Sequence, residues 1–286
     1  MRITRLLRWG ATALSLFVLL YLGKRMATIT TLNLKNSSAM PYQLRFFAGR
    51  VNGRLKNFRL SSYLFIKRAL DIAVAASLLL FLAPLILVIS ILIRLDSPGS
   101  AIFAQERVGT RVRVRNGSKV WELRPFTVYK FRTMRQDAKN DIHKEFVQAF
   151  IRNDSAKMEL LQNGKGKKGV YKLVNDTRVT RVGKVLRKTS LDELPQLWNV
   201  LIGDMSLVGP RPALAYEVDV YTPQHLRRLE AQPGLTGLWQ VSARSSVDFD
   251  KMVDLDTWYI ENQSLWLDLK ILFMTPLAVL RGKGAA

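Results

Sequence analysis

The segment 72–93 carries no charge and is dominated by Leu, Ile, Val and Ala, with Pro84 near its middle. A hydrocarbon core about 30 Å thick needs about 20 apolar residues in a helix, so this run is long enough to cross a bilayer. Two features bear on how it sits there. Proline removes a helical hydrogen bond and clashes with the preceding turn, which favours a kink at Pro84. Basic residues flank both ends, with Lys67 and Arg68 before the run and Arg94, Arg107, Arg111, Arg113 and Arg115 after it. Positive flanks favour the cytoplasmic side at each end. A bent helix that enters and leaves one leaflet satisfies both features; on the residues alone a straight span stands beside it as the alternative.

The rest of the composition points to an anionic partner. The formal charge is +22, from 44 Lys plus Arg against 22 Asp plus Glu. No acidic residue precedes Asp71, whereas basic residues recur from Arg2 to Arg68. Because these charges border apolar stretches, anionic cytoplasmic lipid explains them better than nucleic acid does. There is no cysteine, which excludes disulfides, thiolate nucleophiles and Cys-ligated zinc. The two histidines, His143 and His225, occur without a His-Glu-x-x-His pattern, and no Gly-x-Ser-x-Gly is present. Carboxylates and basic side chains are left as the chemical tools.

Residues 9–23 form a second uncharged run between Arg8 and Lys24-Arg25, about 22 Å long as a helix and short for a span. No convincing small-x-small cleavage site follows, so an uncleaved anchor or interfacial helix is favoured over a removed signal peptide. The polar, basic stretch 26–62 reads as a linker or a surface-lying segment. From about Ser97 the chain reads as a soluble α/β domain, with short apolar pieces at 128–131 and 173–174. An amphipathic helix is expected around 142–161, followed by a Lys/Gly-rich loop at 163–169. Near the C-terminus, 264–280 carries Trp266, Leu269, Phe273 and Leu277, with Trp258 and Tyr259 upstream; core packing or a membrane interface would suit it.

The chemistry concentrates between 175 and 212. Asp192 and Glu193 adjoin at what reads as a helix start, with Ser190 three residues before Glu193 as in a capping box. Pro195 would then fall inside the helix, so a start nearer Asp192 is equally plausible. Either way the carboxylates lie by helix-start N–H groups, which favours their ionised forms and makes the site receptive to phosphate. An ionised carboxylate can attack phosphorus, and its neighbour can hold Mg²⁺ on a pyrophosphate. Gly209-Pro210-Arg211-Pro212 supplies a rigid turn whose guanidinium fork suits a phosphate. Lys130 and Arg132 alternate with Tyr129 and Phe131, so as a strand the two cations would share one face.

Several blocks together resemble the bacterial sugar transferase family, the monotopic polyprenyl-phosphate phosphoglycosyl transferases, over roughly 65–280. They are Lys67-Arg-Ala-Leu-Asp71, Phe103-Ala-Gln-Glu-Arg-Val-Gly109, Tyr129-Lys-Phe-Arg-Thr-Met134, Ser190-Leu-Asp-Glu-Leu-Pro-Gln196, Gly203-Asp-Met-Ser-Leu-Val-Gly-Pro-Arg-Pro212 and Pro233-Gly-Leu-Thr-Gly-Leu-Trp-Gln240. The resemblance implies a re-entrant membrane helix and a cytoplasmic catalytic domain; with the residue readings above, the expected architecture is helix-rich α/β, with a basic leader and short apolar anchor at 1–66, a Pro-kinked re-entrant membrane helix at 67–96, and a small cytoplasmic catalytic domain with interfacial C-terminal helices at 97–286. It implies transfer of a sugar 1-phosphate from a UDP-sugar to a polyprenyl phosphate at the bacterial inner membrane, with Mg²⁺ as cofactor and release of UMP. Asp192 and Glu193 would be the catalytic pair and the metal ligands. Lys130, Arg132, Arg187, Arg211, Gln240 and Arg244 would bind substrate. Family members often carry Ser-Pro at the helix break, whereas this chain has Ala83-Pro84, so its bend must rest on Pro84 and packing.

The expected partners are therefore a UDP-sugar, a polyprenyl phosphate and an anionic bilayer, without nucleic acid; a homo-oligomer is left open. The alternative from another class is a non-enzymatic basic membrane-surface adaptor in which Asp192 and Glu193 only cap a helix. Which sugar is transferred depends on hydroxyl contacts that the sequence does not place.

Overall fold

A computed structural model describes residues 58–115, 118–135, 141–161, 178–243 and 247–280. The run 9–23, the loop 163–169, the apolar piece 173–174 and Arg244 lie outside the described residues. The apolar segment forms the core of α1 (Phe58–Asp96), one helix that continues through Pro84. Asp71, Ala75, Leu79, Ala83, Ile86, Ile89 and Ile93 are buried, and their spacing of three or four residues defines a single stripe against the rest of the protein. The remaining faces are apolar as well: Phe65, Phe81 and Leu95 are 71%, 80% and 79% exposed. A helix that is hydrophobic all round but buried along one stripe needs an apolar medium on its other side.

Both ends of α1 are tied to the same body. Near its start Lys67 forms a buried ion pair with Asp268 at 2.7 Å. Asp268 also accepts from the hydroxyls of Tyr63 at 2.8 Å and Tyr259 at 2.7 Å. One turn on, the Asp71 carboxylate accepts from the Leu207 N–H at 3.0 Å. At the other end Arg132 donates to the carbonyls of Ser97 at 2.6 Å, Ile93 at 3.5 Å and Pro98, tying the last turn and the two residues after it to the end of β2.

The architecture is helix-rich, and its sheets are small. β1 (Ile102–Arg115) and β2 (Ser118–Phe131) make one antiparallel hairpin, with Ile102 opposite Phe131 and Arg115 opposite Ser118. The expected piece at 128–131 is the end of β2, where Val128, Tyr129 and Phe131 enter the core. The amphipathic stretch 142–161 is two helices, α2 (Asp141–Ile151) and α3 (Ser155–Leu161). Asn153 at φ 54° separates them, and the Asp154 carboxylate caps the second by accepting from the Lys157 N–H at 3.0 Å. This pair of short polar residues breaks the expected continuous helix, because Asn tolerates the left-handed region and Asp prefers a cap.

Next come α4 (Arg181–Thr189), a 3₁₀ turn (Leu191–Glu193), α5 (Gln196–Ile202) and β3 (Ser206–Val208). Then follow α6 (Ala215–Val218), a 3₁₀ turn (His225–Leu229), β4 (Gly234–Thr236), α7 (Leu238–Ser242), α8 (Phe249–Glu261) and α9 (Leu265–Leu280). β3 and β4 pair in parallel. One core joins the α1 stripe to the hairpin base, α4, α5 and β3. A second lies among α2, α6 and α8. On α9, Trp266 and Phe273 are each 77% exposed and Leu280 is 82% exposed, leaving a further apolar surface uncovered.

Asn199 explains how α5 is registered on the hairpin. Its side-chain amide donates to the Thr127 carbonyl at 2.6 Å and accepts from the Tyr129 N–H at 3.1 Å, with the residue fully buried. The amide thereby stands in for a neighbouring strand. It also fixes where the next residue of β2, Lys130, emerges.

Candidate active site

Thr180 starts α4, its hydroxyl accepting from the Gly183 N–H at 3.0 Å. Gly183 is required for a second reason: a Cβ there would overlap the Thr133 carbonyl. That close approach, with Thr180 N–H donating to Thr133 O at 3.0 Å, seats α4 on the chain leaving β2. Arg187 then reaches Thr133, Nε to Oγ1 at 2.9 Å.

The helix ends at Ser190, which takes the left-handed conformation at φ 56° and returns its N–H to the Arg187 carbonyl. Neither expected helix start is found. Ser190 makes no side-chain cap, Asp192 and Glu193 sit on the first 3₁₀ turn, and the α-helix begins only after Pro195. Proline suits the position before the first helical residue and not the interior, which moves the start beyond the carboxylates. The N–H groups of Glu193 and Leu194 already donate to Ser190 and Leu191 carbonyls, so these two are not offered to a ligand. The charge partner is a side chain instead: Lys130 Nζ lies 2.8 Å from Glu193 Oε1.

The Gly209-Pro210-Arg211-Pro212 turn leaves β3 and is held from both sides. Gly209 N–H donates to Thr236 O at 2.9 Å and Gly234 N–H to Pro210 O at 2.8 Å. Arg107 donates to Pro212 O at 3.0 Å, and Val108 N–H to Ala213 O at 2.8 Å. Gly209 and Gly234 approach so closely that a Cβ on either would overlap the facing backbone. Gln240 adjoins this turn: a Cβ added at Gly237 would meet the Gly209 carbonyl and Gln240 Oε1.

The sequence-predicted residues thus separate. Lys130 and Glu193 meet, and Arg187 is held on Thr133, just past the end of β2. Arg211 and Gln240 belong to the glycine-packed turn. Arg132 is buried, its guanidinium donating to the Ser97, Pro98 and Ile93 carbonyls at the end of α1, while Lys130 reaches Glu193. Sequence reasoning also missed a group around Arg211. Burial lowers the His143 imidazole pKa; Glu217 opposes this, while Arg107, Arg178 and Arg211 lower it further. Burial likewise raises the Tyr216 phenol to about 12, Glu217 adding to the rise and Arg107 and Arg211 opposing it. These residues come from five separate stretches of chain, so no local pattern could have gathered them.

Among the described residues no group of three or more acidic or histidine side chains could hold a metal ion. The adjacent carboxylates fit Mg²⁺ in its usual enzymatic setting, where one or two carboxylates act with substrate phosphates and water.

With this geometry in view, the chain belongs to the bacterial sugar transferase family, whose sequence model matches residues 62–282. It is similar to an undecaprenyl-phosphate galactose phosphotransferase of Salmonella typhimurium, 42% identical over 77% of this chain and 42% of that protein. It is also similar to a galactosyl transferase, CpsE, of Streptococcus agalactiae, 44% identical over 78% of this chain and 44% of the relative. An exopolysaccharide production protein, ExoY, of Rhizobium meliloti is 41% identical over 77% of this chain and 87% of its own length. The chain therefore spans less than half the length of the first two relatives and most of the third.

Proposed function

We propose that this protein transfers a sugar 1-phosphate from a UDP-sugar to undecaprenyl phosphate at the inner membrane, initiating a cell-surface polysaccharide. The observation that carries this reading is the acidic pair on one half-buried turn, with Lys130 on Glu193 and Arg187 at the end of the helix that leads into it. Asp192 attacks the phosphorus bonded to the sugar, the pyrophosphate P–O bond breaks, and UMP leaves with the electron pair. A carboxylate oxygen of Asp192 then carries the phosphosugar. In the second half, an oxygen of the lipid phosphate attacks the same phosphorus and frees Asp192. Dividing the reaction keeps two polyanions from having to occupy the site together. Mg²⁺, held by Glu193 with Asp192 beside it, would neutralise charge on the pyrophosphate. Lys130 orients Glu193, and Arg211, fixed in its glycine-packed turn, binds phosphate. The direct test is release of UMP from a panel of UDP-sugars by purified protein with undecaprenyl phosphate and Mg²⁺. An adaptor would release none.

Arg211→Lys keeps the charge but loses the bidentate fork. Turnover should fall about tenfold or more, in keeping with a charge-assisted pair worth about 1.5–3 kcal/mol, while the unfolding midpoint stays put. Wild-type turnover in this variant would return Arg211 to a structural role.

The attachment of both ends of α1 to one body supports the re-entrant reading, with the catalytic domain on the cytoplasmic face. Single cysteines at Ser62 and Ser97, in this cysteine-free chain, should then be labelled from the same side of sealed vesicles. Modification of one of them by an impermeant reagent from the periplasmic side would establish a crossing helix.

A further inference from the structure

The 3₁₀ turn that carries Asp192 and Glu193 lies between α4 and α5, and α1 holds the outer end of each. At the start of α4, the Val182 N–H donates to the Asp96 carboxylate at 3.0 Å. At the end of α5, Arg68 donates to the carbonyls of Val200 at 2.6 Å and Leu201 at 2.8 Å. An acid therefore meets a helix N-terminus and a guanidinium meets a helix C-terminus, the favourable sense for both dipoles. Between these points Leu186 of α4 and Leu197 and Val200 of α5 share one core with Ile86, Ile89 and Ile93 of α1. The corner is thus spanned from behind by an apolar helix whose other faces require lipid.

We infer that Asp96 is a positioning residue for the acidic pair: through the α4 cap it sets where the Asp192–Glu193 turn stands relative to α1. Asp96 touches no reacting atom; it lies a nine-residue helix, about 14 Å, from the turn. Its effect passes through α4, which also carries Arg187. Arg68 anchors the opposite end of the same corner. The inference rests on the proposed transfer reaction for its kinetic consequence and on the hydrogen bonds alone for its structural one.

The test uses Asp96→Ala, which removes the acceptor, and Asp96→Asn, which keeps an oxygen for the Val182 N–H. With the full chain in lipid nanodiscs, amide hydrogen exchange should accelerate in Asp96→Ala at 182–184 and also across 191–194, and Asp96→Asn should restore both. The rate of UMP exchange into UDP-sugar should fall about tenfold or more in Asp96→Ala, since small displacements of a reacting group are costly, with KM for the UDP-sugar unchanged. Asp96→Asn should recover most of that rate. If faster amide exchange stops at the start of α4, or the rate per folded molecule is unaltered in Asp96→Ala, the positioning role is overturned. A wild type that exchanges no UMP would sink the proposed two-step reaction, while the amide exchange would still decide whether Asp96 holds the turn.

Discussion

Asp192→Asn should abolish the exchange of labelled UMP into UDP-sugar, by about 10³-fold or more, when Mg²⁺ is present and the lipid acceptor is absent. Exchange without acceptor is what a covalent phosphosugar on the enzyme requires, because the first half-reaction must run backwards by itself. The amide has nearly the shape of the carboxylate but lacks the negative oxygen that attacks phosphorus. The ion pair between Lys130 and Glu193 is left in place, and both flanking helices keep their ties to α1, so the loss would not reflect a displaced turn. Losses of this size are typical when a nucleophile is removed and binding is retained. Asp192 is assigned this role, and Glu193 the metal, by resemblance to the family; adjacency alone does not separate them. Glu193→Gln in the same assay therefore matters, since robust exchange by Asp192→Asn together with its loss in Glu193→Gln would reverse the two roles. An active wild type that shows no exchange would point to direct transfer in a ternary complex.

How much of this site could be read from the chain differs residue by residue. The apolar run 72–93 was plain, because a long stretch without charge has few alternatives, and it forms the middle of α1. The acidic pair stood out because it interrupts a basic stretch just before an apolar helix. Its local conformation was hidden by Ser190. A left-handed residue at a helix end is usually Gly or Asn, so a serine gives no sign that α4 has finished. The strand-like alternation around Arg132 gave no sign that its guanidinium is taken up by carbonyls at the end of α1. The ties of Lys67 to Asp268 and of Asp96 to Val182 join residues 201 and 86 positions apart, and no periodicity reports such pairs. Asn199 is a single polar residue within an apolar helix, a pattern that does not reveal that its amide registers α5 on β2. What the sequence could not convey is largely of this kind: polar side chains that complete backbone groups on distant elements.

Removing Arg228 should cost about 3–5 kcal/mol at neutral pH, and part of that loss should return on acidification. Arg228 is buried and donates to the equally buried Asp256 at 2.7 Å, with its guanidinium 5.3 Å from the centre of the Phe249 ring. Breaking a buried pair by deleting one partner strands the other charge, which is the expensive case. Burial pushes the Asp256 carboxyl up to about 6, and Arg228 opposes that rise. The sign follows from linkage. In the unfolded chain the carboxyl titrates near 3.9, so the folded protein binds the extra proton and this group's contribution to stability declines as pH rises from about 4 to about 6. Arg228→Met removes the opposing cation, moves the folded value higher and extends the decline towards neutrality. The variant should therefore lose most against wild type at pH 7.5 and less at pH 5, where Asp256 can take up a proton. The paired variant Arg228→Met with Asp256→Leu, which leaves no charge to strand, should lie closer to wild type and lose the pH-dependent part of the difference. Unfolding midpoints at the two pH values measure all three variants against wild type. If Arg228→Met were equally destabilised at pH 5 and pH 7.5, lost packing around Phe249 and Tyr221, and not a stranded Asp256 charge, would be the cause.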